Sequence, residues 1–241
     1  MIFSPFLGLQ SFVQSSFIGQ LIVVVLVLLS MVSWTTMLFK FRAFAATLAA
    51  DESFLSQFRK ESHPLSLFMK KQWVSGSPCA RLYLRSCQQA ARVLGMEEAD
   101  IGRFLSGDAG GSPGHLTRDQ LDIIREAAEI EMADQVLKLE QDMPWLAVIN
   151  TVSPFLGLLG TVWGVMEAFN GMAVEGTPTL KTVGPGISAA LLTTVAGLLV
   201  AIPSTVGYNF LTNKLRRLTV GMDNFLQELA GELHLAYSEE R

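Results

Sequence analysis

Three stretches of the chain are apolar for longer than a bilayer crossing requires. Asp, Glu, Lys and Arg are absent before Lys40, between Asp142 and Glu167, and between Lys181 and Lys214. Each of these windows exceeds the roughly 18 to 20 residues that a spanning helix needs. The pattern predicts three transmembrane helices, at residues 17–39, 144–169 and 183–212, and it excludes an ordinary soluble globule. The first stretch has the length of a span rather than of a signal-peptide core. A signal peptide also begins with positive charge, and nothing before Lys40 is charged.

Positive residues follow the first stretch at Lys40 and Arg42, and the third at Lys214, Arg216 and Arg217. Lys and Arg near the end of a span favour the cytoplasm, so both of these ends are expected inside. The topology that satisfies them is N-out and C-in. Residues 1–16 and 170–182 then lie outside, with 40–143 and 213–241 in the cytoplasm.

The cytoplasmic insert reads as helical. Phe54, Leu55 and Phe58 stand among polar residues, and a second helix is expected from Pro78 to Leu94, where Leu82, Leu84 and Val93 alternate with Arg81, Arg85 and Arg92. Residues 106–115, SGDAGGSPGH, have the composition of a flexible loop. Thr117 and Gln120 have the spacing of a capping box, and Leu121, Ile124, Ala128, Met132, Val136 and Leu139 recur at helical intervals after it. Pro144 is expected to kink this helix rather than end it, giving one bent rod from Thr117 to about Phe169, roughly 75 to 80 Å long. Beyond the third stretch, Leu215, Leu218, Met222, Phe225, Leu226, Leu229 and Leu233 continue an amphipathic helix to Tyr237. The expected architecture is an all-α membrane protein with three transmembrane helices and long helical cytoplasmic extensions.

Composition narrows the function classes. Of 241 residues, 50% are hydrophobic and 17% charged, and the net charge is -4. Nucleic-acid binding would need a basic face or stripe that the sequence lacks. Cys79 and Cys87 have no CxxC spacing, so they read as reduced thiols rather than a metal or disulfide pair. His63, His115 and His234 are scattered through polar segments, and no nucleophile–base pair, metal spacing or phosphate loop emerges. Gly157, Gly160 and Gly164 lie inside an apolar helix, not between a strand and a helix, which excludes a nucleotide loop. No cofactor is implied, and an enzyme is not the expectation.

The spans themselves hold small and hydroxyl residues. Gly160 and Gly164 form a GxxxG step, with Gly157 a turn earlier, while Gly184, Gly186, Ala189, Ala190, Gly197 and Ala201 make a small face on the third stretch. Such faces let helices approach closely where lipid provides no hydrophobic drive to associate. Pro154 and Pro203 are further expected kinks. Thr161, Ser188, Thr193, Thr194, Ser204 and Thr205 carry hydroxyls at membrane depth. A lone intramembrane threonine ordinarily bonds back to its own helix. Thr161 and Thr194, however, are expected at similar depth, roughly 12 to 16 Å below the outer surface, and could ring a narrow polar passage. No carboxylate occurs in the interior of a span, and the nearest, Glu167, falls at the outer interface.

Residues 153–169, SPFLGLLGTVWGVMEAF, followed by residues 185–203, PGISAALLTTVAGLLVAIP, and by Tyr208 and Asn209, closely resemble the TolQ/ExbB/MotA family of proton-channel proteins. Ser33 and Trp34 extend the resemblance to the first span, and the tail MDNFLQEL from Met222 looks more like TolQ than ExbB. The resemblance implies a multi-pass protein of the bacterial inner membrane, assembled as a homo-oligomer, a pentamer, around a TolR/ExbD-like single-span partner. In such proteins the partner's transmembrane Asp carries the proton and threonines matching Thr161 and Thr194 line the pore, with Thr193 and Ser188 as further candidates here. Energy from the proton motive force passes to a TolA- or TonB-like protein reaching through the periplasm, as in the Tol-Pal system. One departure stands out. The family commonly carries a Glu in a Gly-Ile-Ala-Glu-Ala-Leu pattern of the third span, where this chain has Ala189. A MotA-like or gliding-type stator and a non-conducting membrane scaffold are the alternative expectations.

Overall fold

A computed structural model describes residues 16–61, 63–70, 75–93, 116–175 and 180–237. The regular structure among the described residues is all helical, in six elements: α1 (Phe17–Phe58), α2 (Ser66–Met69), α3 (Pro78–Val93), α4 (Arg118–Glu140), α5 (Met143–Glu175) and α6 (Leu180–Tyr237). The expected loop at 106–115 lies outside the described residues. Three helices are long and apolar enough to cross a membrane: α1, α5 from Met143 to Ala173, and α6 from Val183.

No glycine or proline interrupts α1 after Gly19, which explains its 42 residues. At 58 residues α6 is longer still, and it continues through Pro185 and Pro203. Both exceed the roughly 30 Å hydrocarbon layer at about 1.5 Å per residue, so each carries a length that lipid cannot cover.

The chain divides into two compact units, one formed by residues 1–40 and 142–211 and the other by residues 41–141 and 212–241. In the first, α1, α5 and α6 meet around Ile22, Leu26, Ile149 and Val200, with Ile18, Leu29, Leu156 and Ala196 beside them. In the second, the far part of α1, then α2, α3, α4 and the end of α6, bury an aromatic cluster. Phe225 meets Phe54 and Phe58 edge-on, with ring centroids 5.5 and 5.3 Å apart, and Tyr83 lies 5.8 and 5.7 Å from the same two rings. The Tyr83 hydroxyl accepts the Phe68 N–H at 3.0 Å, so its buried oxygen is satisfied.

Polar residues fix the joints of the second unit. Asp51 is buried and accepts hydrogen bonds from the Ser77 hydroxyl at 2.5 Å and the Cys79 N–H at 3.1 Å, which caps α3 from another helix. Thr117 and Gln120 form the capping box expected of them. The Leu116 N–H bonds to the Tyr237 carbonyl at 3.0 Å, and the Tyr237 hydroxyl pairs with His63 Nε2 at 2.8 Å. Cys79 and Cys87 are free and buried. Burial pushes both thiols far above the ordinary range, and the charge of Asp51 adds to it at Cys79. Neither is a nucleophile at neutral pH.

Two expectations are corrected. The rod from Thr117 to Phe169 is broken: α4 ends at Glu140, Asp142 adopts a left-handed φ of 70°, and α5 begins anew at Met143. Pro144 therefore sits in a first helical turn, where its missing N–H costs nothing, and is not a kink within a continuous helix. Asp142, whose short polar side chain tolerates this conformation, places its carboxylate 3.8 Å from Lys40 Nζ. Beyond the expected end of the second span at Phe169, α5 stays helical through Gly171 to Glu175, ahead of Gly176 and Pro178.

Candidate functional site

The polar residues of the first unit converge where α5 and α6 pack. The two helices approach so closely that side chains at the glycines are excluded. A β-carbon at Gly157 would lie 2.9 Å from the Thr193 carbonyl oxygen, and one at Gly197 would lie 2.6 Å from that of Ser153. Gly164 faces Ala190, and Gly160 leaves the room that the Thr193 side chain fills. Gly157, Gly160, Gly164, Ala190 and Gly197 thus form one contact, whereas a β-carbon at Gly184 would meet nothing within 4 Å.

This close approach brings hydroxyls from α6 onto the backbone of α5. Thr193 Oγ1 is 3.1 Å from the Gly157 carbonyl and 2.7 Å from the carbonyl of Ala190 in its own helix. Thr194 donates to the same Gly157 carbonyl at 3.0 Å, and its oxygen lies 3.5 Å from Thr161 Oγ1. Thr161 in turn donates to Leu158 at 2.7 Å. Each hydroxyl has one proton and two lone pairs, so with their protons on carbonyls these oxygens keep acceptor capacity for water.

Thr161, Thr193 and Thr194 are therefore neighbours. Ser188 is not with them: it is exposed, and five and six residues from Thr193 and Thr194 it falls on another face of the helix. Ala201 is buried along the same face as Gly197. Pro154 and Pro203 lie within unbroken helical segments. Their missing N–H groups leave the Asn150 and Leu199 carbonyls without the usual helical donor.

Two features escaped the sequence reading. Ser33 in α1 and Ser204 in α6, both buried, share a hydrogen bond of 2.6 Å, tying the first span to the third. A single serine in an apolar run gives no hint of a partner 171 positions away. The second is a cavity of about 470 Å³ beside the threonines, lined from α5 by Gly160, Gly164 and Glu167 and from α6 by Gly186, Ala189 and Thr193, among others. Among the described residues no group of three or more His, Cys, Asp or Glu could hold a metal.

A bundle of long apolar helices, with hydroxyls gathered on a glycine-lined contact, defines a membrane protein built for close helix packing around polar groups. The chain belongs to the MotA/TolQ/ExbB proton channel family, which it matches over residues 100–224. It is 30% identical to the Tol-Pal system protein TolQ of Haemophilus influenzae, over 94% of this chain and 93% of that protein. It is 29% identical to the TolQ of Pseudomonas aeruginosa, over 92% and 90%. To the biopolymer transport protein ExbB of Salmonella typhimurium it is 49% identical, over 30% of this chain and 29% of that one. The family is one of channels and stators, not of enzymes.

Proposed function

We propose that this chain is the channel subunit of an inner-membrane stator of the TolQ–TolR or ExbB–ExbD type, coupling the proton motive force to a TolA- or TonB-like protein in the periplasm. Residues 17–39, 144–169 and 183–212 cross the membrane, with the N-terminus outside and the C-terminus in the cytoplasm. Several copies, five by family resemblance, surround a single-span partner whose transmembrane Asp carries the proton. Thr161, Thr193 and Thr194 hold the water through which it passes.

The observation that carries this reading is the meeting of Thr193 and Thr194 on the Gly157 carbonyl, with Thr161 beside Thr194, in stretches free of any charged residue. One carbonyl facing two hydroxyls from another helix goes beyond what helix satisfaction demands. It also leaves the proton carrier to be supplied by another chain, because Ala189 has nothing to titrate. The energy is adequate, since one charge moved across 100 mV yields about 2.3 kcal/mol.

Reconstitution with the single-span partner in liposomes, with proton uptake followed under an imposed potential, tests the reading. The complex is expected to conduct, and to stop when the partner's Asp becomes Asn. Each hydroxyl–water hydrogen bond is worth about 1 to 1.5 kcal/mol, so Thr161→Val with Thr194→Val lowers the flux about 30-fold to 160-fold. An assembled wild-type complex that conducts nothing would point to a scaffold, and undiminished flux in the double variant would remove the threonines from the path.

A further inference from the structure

The cavity beside the threonines has a direction. Because α5 and α6 run antiparallel there, Gly160 faces Thr193, Gly164 faces Ala190, and Ala168 faces Gly186. The cavity follows this ladder from Thr193 at one end to Glu167, Gly171 and Pro185 at the other, with Ser16 and Gly19 of the first span's start along its side. From Gly160 to Gly171 its lining covers about eleven residues of α5, or roughly 16 Å of helix.

Its wall is unlike a packing defect. Helix contacts in membranes are close-packed, and voids larger than a water are few. Here glycine and alanine line a space of about 470 Å³ and leave backbone as much of its surface. At one end stands the carboxylate of Glu167, exposed, and at the other the hydroxyl of Thr193, which is 2% exposed. At about 30 Å³ per molecule the space holds on the order of fifteen waters, with polar groups at both ends to anchor them.

Thr193 is also the point where the cavity meets the threonine pair. Its hydroxyl and that of Thr194 flank the same Gly157 carbonyl, at 3.1 and 3.0 Å, and Thr194 continues to Thr161. Only this one shared carbonyl, whose negative potential both hydroxyls feel, therefore separates the inner end of the cavity from the Thr194–Thr161 pair. Rows of hydroxyls and carbonyls are how narrow paths replace a cation's hydration shell.

We infer that this cavity is the hydrated entry vestibule of the channel, with Glu167 collecting the transported cation at its mouth and Thr193 passing it to Thr194 and Thr161. The inference rests on the conducting role proposed above and adds the route to it. A carboxylate at the mouth of a low-dielectric cleft raises the local concentration of cations and repels anions.

The test separates the route from the role. In the reconstituted complex with its partner, Ala189→Cys places a thiol in the cavity wall, and the wild type, whose two thiols are buried, is the blank. Cationic and anionic methanethiosulfonate reagents of similar size are applied from the side of Glu167. The thiol is expected to react with both, the cationic reagent about tenfold faster, and Glu167→Gln is expected to erase that preference. Modification by either reagent should block proton flux, and Thr193→Val should lower flux where Thr193→Ser does not. Met172→Cys, which only shortens a lining side chain, replaces Ala189→Cys if that variant fails to assemble. A conducting complex whose cavity thiol is unreactive, or reacts without charge preference, overturns the vestibule and leaves the channel role standing. A reactive, charge-selective cavity in a complex that conducts nothing overturns the channel role instead.

Discussion

The two units of this chain are built on opposite rules, although α1 and α6 take part in both. In the unit of residues 1–40 and 142–211, large apolar side chains face outward: Phe155 is 66% exposed and Leu199 68%. What it buries includes Ser33, Ser153, Thr193 and Ser204. In the unit of residues 41–141 and 212–241, aromatic rings such as those of Phe54, Phe58, Tyr83 and Phe225 are buried and charged residues such as Arg59 stand outside. Water drives the second arrangement, because apolar area leaves it on folding. Lipid removes that drive, so the first depends on close backbone approach and on hydrogen bonds between helices. One helix can serve both rules, since α6 changes the residues on its buried face from glycine and alanine to leucine and phenylalanine along its length.

The largest expected difference follows from the aromatic cluster. Phe225→Ala removes a ring that touches both Phe54 and Phe58, and large-to-small changes at such positions cost about 3 to 5 kcal/mol. Hydrogen exchange measured by mass spectrometry in detergent should show protection lost across α3 and residues 218–237 while residues 149–165 keep theirs. Equal loss in both regions would mean that the two units fold as one, and the contrast between them would be one of composition only.

A smaller effect, opposite in sign at two positions of one helix, sharpens the contrast. At Gly197 a β-carbon would fall 2.6 Å from a backbone oxygen and 3.2 Å from the α-carbon of Gly157, and neither can swing aside. At Gly221 a β-carbon would meet nothing within 4 Å. Gly197→Ala should therefore destabilise by about 1 to 3 kcal/mol through overpacking. Gly221→Ala should stabilise by up to about 1 kcal/mol, because alanine loses less backbone entropy in a helix. Thermal unfolding of the two variants in the same detergent checks the signs. A stabilising Gly197→Ala would show that α5 and α6 have slack at their contact.

Legibility in the sequence divides along the same line. Elements set by local pattern could be read: the Thr117–Gln120 box, the helix from Pro78, and the three apolar stretches all depend on residues within a few turns of one another. The proximity of Thr161 to Thr194 could be anticipated too, because two antiparallel spans joined by a short segment put equal depths side by side. The break after Glu140 could not be read. A proline one turn into a helix and a proline within one look alike in sequence, and only the backbone of Asp142 distinguishes them. Nor could the Ser33–Ser204 bond, the Thr193 link or the cavity, because each depends on which faces meet. Ser188 shows the limit of depth as a guide: a hydroxyl near the right level still has to point the right way.

The smallest expected effect concerns the surface of the second unit. Arg59 grips Glu228 with two hydrogen bonds of 2.9 Å, joining the end of α1 to α6. The hydrogen bonding holds the Glu228 carboxyl below its ordinary value of 4.5, with partial burial working against it and the Arg59 charge adding to the lowering. A depressed folded value means that the stabilisation is present above about pH 4.5 and is lost as pH falls through the lower folded value. Because Arg59 is 62% exposed on its side chain, solvent screening limits the pair to about 1 kcal/mol or less. Glu228→Gln should therefore speed exchange in residues 222–237 slightly at pH 7, and the gap from wild type should shrink with added salt and as the Glu228 carboxylate is protonated in acid. No comparable acid sensitivity is expected around Thr161 and Thr194, whose hydroxyls do not titrate in this range. An acid-sensitive change there instead would reveal a carboxyl acting on the threonines, with Glu167 at the cavity mouth the first to replace.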